Sequence, residues 1–99
     1  MTATIIFDWD PAKAASNLRK HGVRFEEAML VFVDPLALSL LDDDGSVGED
    51  RWITLGATAT GLRLLVHTWT KLDADRVAVR IISARRPTRR EARRYREDT

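Results

Sequence analysis

At 99 residues, with 44% hydrophobic and 31% charged side chains, the chain has the make-up of a single globular domain, residues 1–99, and composition excludes a disordered segment or a bilayer span. It has no cysteine, which removes disulfide scaffolds, thiolate nucleophiles and cysteine-based zinc sites, and without a signal-like apolar start a cytoplasmic protein is expected. The net charge of +1 hides a polarity. From Arg85 to Thr99 there are seven arginines against Glu91, Glu97 and Asp98, a net of +4 that leaves −3 on residues 1–84. Asp42, Asp43, Asp44, Glu49 and Asp50 form an acidic stretch without a cation among them. A polyanion is the expected partner of the basic end, and no membrane contact is expected.

In chain order, Ile5 to Trp9 reads as a short strand closed by Asp10-Pro11. Asp10 caps a helix running to about Lys20, with Pro11 at its first position and Gly22 able to take the left-handed C-cap. A second helix is expected from Phe25 to Phe32, where Phe25, Ala28, Met29 and Phe32 recur at helical spacing and Asp34-Pro35 closes the run. β-type runs follow at residues 36–41, 51–57, 62–70 and 76–84, with polar turns between them. Thr88 and Glu91 have capping-box spacing and begin a last, basic helix. The predicted fold class is α+β, in the order β-α-α-β-β-β-β-α: an antiparallel meander with the two N-terminal helices on one face and the basic helix at the end.

Strand alternation assigns faces. In residues 62–70, Leu62, Leu64 and Val66 share one face, and Arg63, Leu65, His67 and Trp69 the other. In residues 76–86, Val77, Val79 and Ile81 face the core and Arg80 the opposite side. A sheet with helices on one side and arginine, histidine and tryptophan on the other is a platform for single-stranded RNA. Each signal also has a plainer account: a solvated arginine on a wet face, core tryptophans, His21 as a helix-end donor, His67 as a strand-pairing residue. Density favours the polyanion, since seven arginines between Arg85 and Arg96 exceed what Glu91 and Glu97 can pair. No phosphate-cradling glycine loop and no serine–histidine–acid arrangement is present. Asp42, Asp43 and Asp44 point in different directions from a loop and lack the rest of a calcium-loop pattern, so neither metal nor cofactor is expected.

Phe7-Asp8-Trp9-Asp10, Lys13, Asn17, Lys20-His21-Gly22, Phe25-Glu26-Glu27-Ala28, Asp34-Pro35, Arg51, Arg80 to Arg85, Arg90-Glu91 and Tyr95 together resemble the BrnT toxins. Arg24 stands where that pattern often has serine or threonine, so the second helix lacks its usual hydroxyl cap. The resemblance implies a type II toxin–antitoxin system, a RelE-like ribonuclease fold, a BrnA-like antitoxin, and operator DNA reached only through the antitoxin complex. Such an enzyme uses the substrate's own 2′-OH and needs no metal. On that expectation Arg80 and Arg85 stabilise the charge on the phosphate, and His21 is the acid or base. Lys13, Arg51, Arg63, His67 and Tyr95 bind RNA, with Tyr95 and His67 as weaker proton-transfer candidates. The competing class is a non-catalytic adaptor or co-repressor whose basic helix touches nucleic-acid phosphates, and a purely structural interaction protein is a third reading.

Overall fold

The computed structural model describes residues 4–42 and 51–97; the expected acidic positions Asp43, Asp44, Glu49 and Asp50 lie outside them. These residues form β1 (Thr4–Asp8), α1 (Pro11–His21), α2 (Phe25–Ala28), a 3-10 turn (Met29–Val33), β2 (Leu38–Asp42), β3 (Arg51–Thr58), β4 (Gly61–Thr68), β5 (Thr70–Lys71), β6 (Arg76–Arg85) and α3 (Arg89–Glu97). None of the described helices is long and apolar enough to cross a membrane.

The sheet is mixed, not antiparallel throughout. Its order is β1-β6-β4-β3-β2, and β1 runs parallel to β6 from Thr4 opposite Arg76 to Asp8 opposite Arg80. The other pairs are antiparallel, and β5 prolongs the β4 ladder along β6, with Thr70 opposite Ala78. The expected meander therefore holds from β2 through β3 and β4 to β6, and the departure from it is β1, which adds to the far side of β6 in parallel.

The core fills one face, here the inner one. Val23, Phe25, Ala28 and Val31 from the helical layer meet Leu65, Val77, Val79, Ile81 and Ala84 of the sheet, with Ile5, Phe7, Trp9 and Phe32 packed around them. The α1 termini follow the expected chemistry: Asp10 Oδ1 accepts from Ala12 N at 2.8 Å, and Gly22 takes φ 68°. The second helix is shorter than expected. It tightens after Ala28, because Phe25, Ala28 and Val31 recur every third residue and all three are fully buried. Gly56 permits that approach, since a Cβ there would lie 3.0 Å from Val31 Cβ.

A β-bulge shapes the last strand. Val66 pairs with Ser83 while His67 pairs with Ile81, so Ile82 is the extra residue on β6. Alternation resets at this point. Val77, Val79 and Ile81 point inward, and so does Ala84, which puts Ser83 and Arg85 on the outer face with Arg80.

Helix α3 lies against that outer face. The Thr88–Glu91 capping box forms in both directions, at 2.8 and 3.2 Å. Glu91 grips Arg85 through two hydrogen bonds of 2.9 and 3.0 Å, and Tyr95, one turn later, donates to Asp34 Oδ2 at 2.5 Å. Beneath them, Leu38, Leu40, Ile53, Leu55 and Leu64 line an apolar groove together with Glu91 and Arg94.

Candidate nucleic-acid interface

Residues directly opposite in neighbouring strands share a face. Asp42 opposes Arg51, Arg51 opposes Thr68, and Asp8 opposes Arg80. Thr68 and Arg80 are joined by a hydrogen bond from Arg80 N to Thr68 Oγ1 at 3.1 Å. The outer face therefore carries one cross-strand row, Asp42, Arg51, Thr68, Arg80, Asp8. Two strand spacings separate the backbones of Arg51 and Arg80, roughly 10 Å, with a threonine hydroxyl between them. Arg80 Nη1 lies 2.5 Å from Asp8 Oδ2, both side chains being at least half exposed.

Arg85 sits further along β6 on the same face, opposite Leu64. Its guanidinium is committed to Glu91, whose carboxyl the Arg85 hydrogen bond above all, opposed by burial and helped by the Thr88 N–H, holds at about 2. The same contact raises the pKa of Arg85. Of the two expected catalytic arginines, Arg80 is thus the more accessible to an anion. An incoming phosphate there displaces an exposed carboxylate, worth roughly 0–1 kcal/mol; at Arg85 it must break a bidentate grip that also caps α3.

Two of the expected RNA contacts are buried. Arg63 and His67 lie on the helix-covered face, not the open one. Arg63 is 6% exposed and forms a 3.0 Å ion pair with Glu27 of α2, with further hydrogen bonds to Leu62 O and Thr60. His67 is 2% exposed; its Nε2 meets Thr54 Oγ1 at 2.7 Å and its Nδ1 meets Thr68 O at 2.8 Å. Burial drives the His67 pKa down, against the raising influence of the Thr68 carbonyl. The alternation along β4 is as expected, but the open face could not be told from the covered one by residue type, because β4 is covered on both sides and each set carries leucine: Leu65 faces the helices and Leu64 faces the α3 groove.

The other expected residues are dispersed. His21 and Lys13 are exposed on α1, whose Asn17 hydrogen-bonds the edge of β6 at Ala84. The Tyr95 hydroxyl is engaged by Asp34, which raises its pKa. Desolvation pushes the Asp34 carboxyl up, yet hydrogen bonds from Tyr95, Ala57 and Leu36 outweigh it and hold the group below its ordinary value. Asp8 and Thr68, to which sequence reasoning gave no role at the site, lie in the outer row with Arg51 and Arg80. Their only signal is register, and register is invisible until β1 is known to pair with β6.

A family model described as the ribonuclease toxin BrnT of type II toxin–antitoxin systems matches residues 9–91. The chain belongs to the BrnT toxin family. No curated protein matches the chain in sequence. Membership makes this BrnT protein a ribonuclease toxin with an RNA target and an antitoxin partner. Lys13, His21, Arg51, Arg80, Arg85 and Glu91 fall inside the matched segment, whereas Asp8 and Tyr95 flank it.

Proposed function

We propose that this BrnT protein cuts RNA on the outer face of its sheet, along the row Arg51, Thr68, Arg80, by attack of the substrate's 2′-OH on the adjacent phosphate. The O2′–P bond forms as the 2′-OH proton passes to a base, the P–O5′ bond breaks, and O5′ takes a proton from the conjugate acid or from water, so the products are a 2′,3′-cyclic phosphate and a 5′-OH. The cross-strand row carries the proposal. It sets the backbones of two arginines on paired strands either side of Thr68, and a developing phosphorane needs donors held from fixed positions of that kind. Arg80 and Arg85 stabilise the added charge, with Arg51 and Lys13 as supplementary cations. Asp8, in contact with Arg80, is the candidate carboxylate to receive the 2′-OH proton. His21 is the second candidate for that role. No metal takes part.

The layout is read as RelE-like, and the neutralising partner as a BrnA-like antitoxin that covers this face and through which operator DNA is reached. Mapping cleavage ends on naked RNA and on a translated message tests the reading. New 5′-OH ends that persist in a chelator support it. Arg80→Ala is expected to lower the cleavage rate about 100-fold or more, with an unchanged far-UV spectrum. Full activity in Arg80→Ala, or loss of cleavage on chelation, refutes the assignment. An unaltered pH profile in His21→Ala removes His21 from proton transfer and leaves Asp8.

A further inference from the structure

On the inner face, away from the arginine row, Phe32, Ala37, Ser39, Trp52, Thr54, His67 and Trp69 line a pocket of about 270 Å³. Its floor is a hydrogen-bonded chain with a fixed direction. The Thr68 carbonyl can only accept, so His67 Nδ1 carries the proton and the other nitrogen, Nε2, is the acceptor. The Thr54 hydroxyl must then donate to Nε2, and Ser39, 2.8 Å from Thr54 Oγ1, must donate to Thr54. Each hydroxyl has one proton. Ser39 Oγ, the exposed end of the chain, therefore turns lone pairs outward and offers an acceptor with no proton to give. Thr54 is 1% exposed and His67 2%, so solvent cannot scramble the direction. Burial also keeps His67 in its neutral form by lowering its pKa.

We propose that this pocket holds one unstacked base of the RNA, packed on the indole rings and hydrogen-bonded through an N–H group to Ser39 Oγ. The proposal rests on the ribonuclease reading and concerns which nucleotide is chosen, not how it is cut. Size, rings and polarity carry it. The space suits one planar ring and is too small for a helix. Trp69 is 43% exposed beside Phe32, with ring centroids 6.2 Å apart. A flat heterocycle with an N–H edge satisfies both the rings and the lone acceptor, whereas an aliphatic side chain from a protein leaves Ser39 desolvated and unpaired. The edge strand β2 borders both sites, contributing Ser39 to the pocket and Asp42 to the outer row. A polynucleotide leaving the row over that edge passes the pocket mouth.

The test uses the full-length protein and uncleavable 2′-deoxy oligonucleotides that carry a single base flanked by abasic positions. The base is adenine, cytosine or their N,N-dimethyl forms, and binding is read by tryptophan fluorescence. Wild type is expected to bind base-bearing oligomers more tightly than a fully abasic one. It should prefer N–H bases over dimethyl bases about 2- to 10-fold, the range one neutral hydrogen bond supplies. Ser39→Ala should lose that preference, and Trp69→Ala the base-dependent part of binding while the salt-dependent part remains. Equal binding of abasic and base-bearing oligomers, or an intact preference in Ser39→Ala, overturns the proposal. Cleavage of ordinary RNA, followed in parallel, separates the two readings. Cutting without base-dependent binding sinks the pocket alone, and base-dependent binding without cutting supports the pocket and sinks the ribonuclease reading. If Trp69→Ala spares base binding but abolishes neutralisation by the antitoxin, the occupant is a protein side chain and the proposal falls.

Discussion

Asn17 is predicted to be the most consequential buried polar residue of the fold. β1 covers β6 only as far as Arg80, which leaves the backbone of Ala84 without a strand on that side. Asn17 of α1 takes the place of the missing strand. Its Oδ1 accepts from Ala84 N at 3.0 Å, and its Nδ2 donates to Ala84 O at 2.8 Å and to Val23 O at 3.0 Å. Asn17→Ala deletes three neutral hydrogen bonds and strands three buried backbone groups, at about 1 kcal/mol or more each. The better helix propensity of alanine returns only about 0.5 kcal/mol. The net loss is about 3 kcal/mol, against a total of roughly 5–15 kcal/mol for a chain of this length. With a urea slope of about 1.5 kcal/mol/M, the midpoint should fall by about 2 M. Lys13→Ala, on the exposed side of the same helix, should stay within about 0.5 kcal/mol of wild type. Asn17→Asp keeps an acceptor but sets a carboxylate against two carbonyls, so it should lose at least as much stability at pH 7. Equilibrium urea melts of the three variants decide the matter. A shift below about 0.5 M in Asn17→Ala, with an unchanged slope, refutes the idea that Asn17 stands in for a strand.

Glu91 titrates at about 2 in the folded protein against an ordinary 4.5. Its folded pKa is depressed, so the Arg85–Glu91 contribution is complete above about pH 4.5 and is lost as the pH falls through about 2. Both partners are partly exposed, which limits the effect to about 1 kcal/mol. Urea melts at pH 7 and pH 2.5 should show this component in wild type and not in Glu91→Gln. Arg63→Ala leaves Glu27 partly buried without its ion pair and should cost about 3 kcal/mol, while cleavage per folded molecule at low temperature stays unchanged. Weakened RNA binding at undiminished stability contradicts that structural role. Arg89 and Arg93 line a shallow surface of α3 apart from the Glu91 and Tyr95 contacts. Replacing both by glutamine should reduce the salt slope of RNA binding by about 1.4, since each phosphate contact on a single strand contributes about 0.7. The cleavage rate at saturating RNA should not change, and a collapse of that rate places the chemistry on α3 instead.

The local parts of the fold were legible because local chemistry decides them. Asp10, Pro11 and Gly22 bound α1, and Thr88 with Glu91 starts α3, each by satisfying backbone groups within a few residues. What sequence could not show was pairing at a distance. Parallel contact of β1 with β6 joins segments about 72 residues apart, such as Thr4 and Arg76, and leaves no periodic trace in either. Ile82 is an ordinary strand residue by type, yet as the bulged position it inverts every facing after it. Strict alternation puts Arg80 and Arg85 on opposite sides of a sheet, and the inserted residue brings them to one.

The basic charge, conspicuous in sequence, consequently divides by how each cation is held. The Arg51 and Arg80 backbones are fixed by strand pairing, so the positions from which their guanidinium groups reach toward a phosphate are set before RNA arrives. Preorganisation of that kind is what stabilises a developing charge. Arg85 is equally well placed but is held by Glu91, and its release loosens the cap of α3, which couples this cation to the seating of the helix. Charge density along α3 raises the attraction for any polyanion without selecting one. Selection requires groups whose donors and acceptors are fixed, and in this protein the buried chain from His67 through Thr54 to Ser39 is such a group, on a face where no arginine density announced it.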